Sequence, residues 1–182
     1  MANAIGMVEF TSIARGIYAV DQMVKTAEVE IVTSVSTCPG KYFAIITGDV
    51  ASVQNSIEIG EANAKEFLVD CIVIPNVVPE LFPAIAGGAM PKHMDAVGIV
   101  ESFSLATMVI AADAVLKAVD VEAIELRLGN GLGGKAFFTF TGDVAAVSTG
   151  VEQAKAVMKS KGLLVNAEVI PSPSDKLIPA LL

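Results

Sequence analysis

Ala4-Ile5-Gly6-Met7-Val8-Glu9 returns as Ala96-Val97-Gly98-Ile99-Val100-Glu101, an offset of 92. Worked outward without gaps, Ala4–Val29 laid on Ala96–Val121 gives 10 identities in 26, among them Ser12/Ser104, Asp21/Asp113 and Lys25/Lys117. The match resumes at an offset of 94, with Gly40-Lys41 on Gly134-Lys135 and Thr47-Gly48-Asp49-Val50 on Thr141-Gly142-Asp143-Val144. It closes at an offset of 96, with Ile74-Pro75 on Ile170-Pro171 and Pro83 on Pro179. Three collinear blocks mark two copies of one small domain. The first is expected over residues 1–90 and the second over 95–182, joined near Gly87–Asp95.

Each copy reads the same way. Ile5–Phe10 is short, apolar and β-branched, a strand signature. Ile13–Ala27 has helical spacing, which places Ile17, Val20, Met23 and Val24 on one face. Glu30–Ser36 and Tyr42–Thr47 are strands flanking a Cys38-Pro39-Gly40 turn. Asp49 occupies an N-cap position before a helix over Val50–Phe67, with Val53, Ile57 and Ala64 apolar. Leu68–Ile74 is a last strand, ended by Pro75. The order β-α-β-β-α-β predicts an α+β, ferredoxin-like fold in tandem, with helices on one sheet face.

Composition narrows the function. The 182 residues are 53% hydrophobic and 18% charged, with a net charge of −8. Low hydrophobicity with dense charge marks disordered chains, so disorder is excluded. No uncharged apolar stretch reaches the length of a membrane span. The acidic balance argues against nucleic acid, which needs a basic face to displace counterions. Met1-Ala2-Asn3 has no basic leader region, so no signal peptide is expected. Two cysteines, Cys38 and Cys71, are no secreted disulfide framework. A chain this apolar and charge-poor calls for a partner subunit to cover its surface.

Taken together, Ala-Ile-Gly-Met-Val-Glu, Asp21-Gln-Met-Val-Lys25-Thr-Ala, Gly48-Asp49-Val50 and the closing Ile-Pro resemble the shell proteins of bacterial microcompartments. All four recur in the second half, so the resemblance spans nearly the whole chain. It is to the tandem-domain type, which implies a homotrimer forming a six-domain pseudohexagonal tile. It further implies a place in the microcompartment shell within the cytoplasm, beside other shell proteins, and no enzymatic activity. Thr37-Cys38-Pro39-Gly40-Lys41 is similar to the pore loop of the iron–sulfur-bearing shell proteins of propanediol-utilisation compartments. The resemblance makes the loop between the second and third strands line a central pore. Pro39 and Gly40 would line it beside Cys38, and Leu132, Gly133 and Gly134 would do so in the second copy. It also places Lys25 and Lys117 at the tile edge. One departure stands out: the family's frequent Pro-Arg-Pro-His after the last strand is Pro75-Asn76-Val77-Val78 here, and Pro171-Ser172-Pro173-Ser174 in the second copy.

Read by itself, Cys38 in a Pro-Gly turn is a presented loop residue, open to a ligand role or to none. Pro39 biases it toward an extended conformation. One thiolate cannot hold a cluster, but the implied threefold axis converges three. Three thiolates fit one 4Fe–4S cluster per trimer, with one iron left for a non-Cys ligand. The Gly40 and Lys41 amides could tune its potential, and lumenal or cytosolic redox enzymes would be the electron partners. Cys71, alternating with Val69 and Val73, reads as strand core. His93, the one histidine, falls in the linker and offers no catalytic pairing. Gly129 to Lys135 formally fits both G-x-G-x-x-G and G-x-x-x-x-G-K, yet it leads into the strand-like Ala136–Phe140. A phosphate loop must open a helix, so a flexible glycine pore loop is the better reading. The competing functions are the same tile with an open pore for small metabolites, and a soluble regulatory domain pair binding a small ligand.

Overall fold

The computed structural model describes residues 4–159 and 163–182. Met1-Ala2-Asn3, read above as lacking a leader, lies outside them. The first unit runs β1 (Ala4–Phe10), α1 (Ile13–Thr26), β2 (Glu30–Thr37), β3 (Lys41–Gly48), α2 (Val50–Ala64) and β4 (Leu68–Pro75). Its sheet has the order β2-β3-β1-β4 with every pairing antiparallel. This is the ferredoxin-like arrangement that the element order predicts. β1 is central and buried along its whole length, which explains its unbroken apolar run. Ala4, Val8 and Phe10 meet Ala19, Val20 and Met23 of α1 and Val53, Ile57 and Ala64 of α2 in one core.

The second unit repeats the plan with β5 (Ala96–Ser102), α4 (Leu105–Ala118), β6 (Glu122–Leu128), β7 (Ala136–Gly142), α5 (Val144–Lys159) and β8 (Leu164–Ile170), in the order β6-β7-β5-β8. The residues shared by the repeat explain themselves locally. Ser12 accepts from the Arg15 amide and Ser104 from the Thr107 amide, capping α1 and α4. Asp49 accepts from the Ala51 and Ser52 amides, and Asp143 from those of Ala145 and Ala146, capping α2 and α5. Side-chain oxygens here satisfy amides that a helix start leaves without partners. Gly6 and Gly98 recur because packing closes over the backbone. A Cβ on Gly6 would lie 2.7 Å from Ile57, and one on Gly98 2.6 Å from the Phe140 ring.

Three expectations need correction. Ile17 is 54% exposed; α1 buries Gly16, Ala19, Val20 and Met23 instead. α2 stops at Ala64 rather than Phe67, because Lys65 takes φ +54 and the chain passes through a 3-10 turn over Lys65–Phe67. A residue in the left-handed region cannot continue a right-handed helix. Val69 does not share the face of Cys71, because the register slips between Glu9/Asp70 and Phe10/Leu68 and leaves it out of the ladder. By contact, the chain forms two compact units that divide between Val77 and Val78. Residues 78–90 lie in the second of these contact units. There Leu81–Ile85 forms a short helix, α3, packed on β6 and α4 with Leu81 and Ala84 fully buried.

Candidate functional site

The first candidate loop joins β2 to β3. Thr37 faces Lys41 across the ladder, so Cys38, Pro39 and Gly40 form the whole turn. All three are exposed. Gly40 adopts φ +78, the left-handed conformation that glycine takes without penalty. The Cys38–Pro39 peptide is cis. Cys38 is a free, exposed cysteine, presented as the turn composition predicts. The base of the turn is anchored by an ion pair. Lys41 Nζ donates to Glu9 Oε1 at 2.8 Å, and the Glu9 side chain is only 3% exposed. Lys41 therefore reaches back to β1, away from the turn.

The loop of the second unit, Gly129 to Lys135, joins β6 to β7. Gly129, Gly131, Gly133 and Gly134 all have positive φ, between 61 and 90, so four glycines are needed where the first loop uses one. This loop is braced rather than loose. Gly129 N donates to Lys135 O, Leu132 N to Gly129 O, and Lys135 N to Leu132 O, at 3.0 to 3.2 Å. Leu132 is half-buried, Gly133 exposed and Gly134 half-buried. The phosphate-loop reading fails in space as in sequence. Lys135 leads into β7 and its ammonium lies 2.8 Å from Glu101, the counterpart of the Lys41–Glu9 pair.

Lys25 and Lys117 each sit in the last turn of their helix, one turn after an aspartate. Lys25 Nζ lies 2.6 Å from Asp21 and Lys117 Nζ 2.6 Å from Asp113. A lysine there also complements the helix dipole. Cys71 packs beside Val73 and Leu68 on the core of the first unit. Burial raises its thiol pKa from the ordinary 9.0, with help from Glu61 and Asp70, so it is a poor thiolate source. His93 is exposed. Among the described residues, no group of three or more His, Cys, Asp or Glu is placed to hold a metal ion. The pairing of Glu9 with Lys41 and of Glu101 with Lys135 was missed from sequence. Its signal was present, since all four residues recur in the repeat with opposite charges.

The BMC domain family model matches residues 4–77 and again 96–173, the two β-α-β-β-α-β units. The bacterial microcompartment shell protein PduT of Citrobacter freundii is 41% identical over 177 residues, covering 97% of this chain and 96% of that protein. The carboxysome assembly protein CcmO of Synechococcus elongatus is 28% identical, covering 99% of this chain and 69% of that protein. The crystal structure of a microcompartment protein from Desulfitobacterium hafniense DCB superposes with a TM-score of 0.93 at 42% identity, covering 98% of this chain and 99% of that one. The repeat, its loops and its caps thus have a common origin: the chain belongs to the bacterial microcompartment shell proteins, as two BMC domains in tandem.

Proposed function

We propose that three copies of this chain form a pseudohexagonal tile of the microcompartment shell, and that their three Cys38 thiolates hold one 4Fe–4S cluster in the central pore. The observation that carries this reading is the exposed free thiol at the tip of the β2–β3 turn, where the second unit has the braced glycine loop with Leu132. The donor set of one chain is one cysteine, which holds no cluster by itself. Three copies around an axis supply the thiolates that cluster irons take. The pore would then alternate three Cys38-Pro39-Gly40 turns with three loops carrying Leu132, Gly133 and Gly134. The cluster, when bound, supplies one-electron exchange across the shell with redox enzymes on either side. The protein's own part is structural. The turn presents Cys38, the Lys41–Glu9 pair fixes its base, and Lys25 and Lys117 lie at the tile edge toward other shell proteins. The chain itself is not an enzyme in this reading. The alignment with the shell protein PduT over nearly the whole chain supports the shell role.

Anaerobic purification, iron and sulfide analysis, and EPR of the reduced protein test the proposal. The wild-type protein is expected to be coloured and EPR-active with four irons per three chains, and Cys38→Ser to be colourless. A colourless wild type after reconstitution, or a Cys38→Ser variant that keeps its cluster, overturns the redox role. The former result leaves the tile with an open pore for small metabolites.

A further inference from the structure

The last stretch of the chain repeats a segment whose role is visible in the middle. Leu81-Phe82-Pro83-Ala84-Ile85 corresponds, at the offset of 96, to Leu177-Ile178-Pro179-Ala180-Leu181. Both start with the same turn: Leu81 N donates to Val78 O, and Leu177 N to Ser174 O. The first continues as α3 and the second as a 3-10 turn over Ile178–Ala180.

Their surroundings differ. Leu81 and Ala84 are fully buried, and the Val78 amide donates to Asp113 Oδ1 at 3.0 Å. Leu177 is 38% exposed and Leu182 68%. Ala180 to Leu182 lie near Ile124 and Arg127 of their own unit but are not buried there.

The receiving surfaces differ in the matching way. In the second unit Leu105, Val109 and Ala123 are covered, each 7% exposed or less. Their counterparts in the first unit, Ile13, Ile17 and Ile31, are 40%, 54% and 48% exposed. Asp113 is 7% exposed where Asp21 is 46% exposed. The first unit therefore has a surface whose twin receives α3, and the C-terminal segment is a twin of α3 without such a surface. An apolar patch of this kind on a single chain marks an interaction site.

We propose that residues 174–182 of one copy dock on the α1/β2 face of the first unit of a second copy. Leu177 packs on Ile13 and Ile17, and the Ser174 amide donates to Asp21, as Val78 does to Asp113. The contact is head-to-tail, and such contacts close into rings or run on as filaments. This rests on the ring assembly proposed above and names the segment that closes it. The segment lies beyond residue 173, where the second BMC domain match ends.

Light scattering coupled to size exclusion tests this on three proteins: the full chain, a chain ending at Pro173, and Leu177→Asp. The full chain is expected at about three times its 18.8 kDa. Both variants are expected to fall about threefold in mass with unchanged far-ultraviolet circular dichroism. If the variants keep the mass and melting temperature of the full chain, the proposal is overturned while the ring stands. If the full chain is a monomer, both readings fail. Should the variants unfold, the full-length protein still decides. With p-benzoylphenylalanine in place of Leu177 and isotopically mixed chains, crosslinks from one copy to residues 13–35 of another support the proposal. Crosslinks confined to one copy overturn it.

Discussion

Lys41 and Lys135 hold corresponding places at the bases of their loops, yet their partners are buried to different degrees. Glu9 is 3% exposed and Glu101 35%. Removing one member of a buried ion pair leaves an uncompensated charge and costs about 3–5 kcal/mol, whereas exposed pairs contribute about 0–1 kcal/mol. Lys41→Met is therefore expected to lower the urea unfolding free energy by about 3 kcal/mol. Lys135→Met is expected to change it by about 1 kcal/mol or less. Equal losses in the two variants would show that burial of Glu9 does not set the energetics. At this scale the sequence is readable wherever chemistry is local. Cys38 is exposed because a Pro-Gly turn presents its first residue. Ile17 was misplaced because helical period marks an apolar stripe without saying whether a core or a partner covers it.

Helix starts in this chain are governed by acceptors that recur in the repeat. At Asp49, hydrogen bonds from the Ser52 hydroxyl and then the Ser52 amide hold the carboxyl below its ordinary 3.8. A carboxylate depressed on folding contributes stability that is fully present above its unfolded value and lost as pH falls through its folded one. Urea midpoints measured against pH are expected to decline below 3.8, and Asp49→Asn to decline less steeply there. An identical acid limb in the variant would remove Asp49 from that transition. Strand and helix order was legible because the two periodicities, 2 and 3.6, are distinct over these lengths. The short α3 was not, because five residues containing Pro83 are too few to show a period. The end of α2 was also hidden, since nothing in Lys65 itself announces a positive φ.

For the molecule as a whole, duplication accounts for the apolar, charge-poor composition better than oligomerisation in general. Each unit carries its own core and leaves apolar faces such as Ile13, Ile17 and Tyr18 outside it. A shell tile has tile neighbours as well as chain neighbours, so overexpression is expected to yield extended sheets or tubes by electron microscopy. Discrete small particles alone at high concentration would count against edge tiling, which the loss of the Arg and His after the last strand would then explain. The fold class and the repeat were readable in full. The contact seam between Val77 and Val78 lies earlier than the restart of the sequence repeat at Ala96, because similarity follows descent while packing follows contact.

That seam bears on how such chains can be recombined. A second half excised at residue 95, where the sequence repeat restarts, leaves behind Leu81, Ala84 and the Val78 amide. It would expose part of β6 and α4 and leave Asp113 Oδ1 without the Val78 amide, with Lys117 still on Oδ2. A half that begins at Val78 carries its own cover. In grafts between tandem shell proteins, the portable modules are residues 4–77 and 78–182, so Gly87-Gly88, though it looks like a linker, is the wrong place to cut.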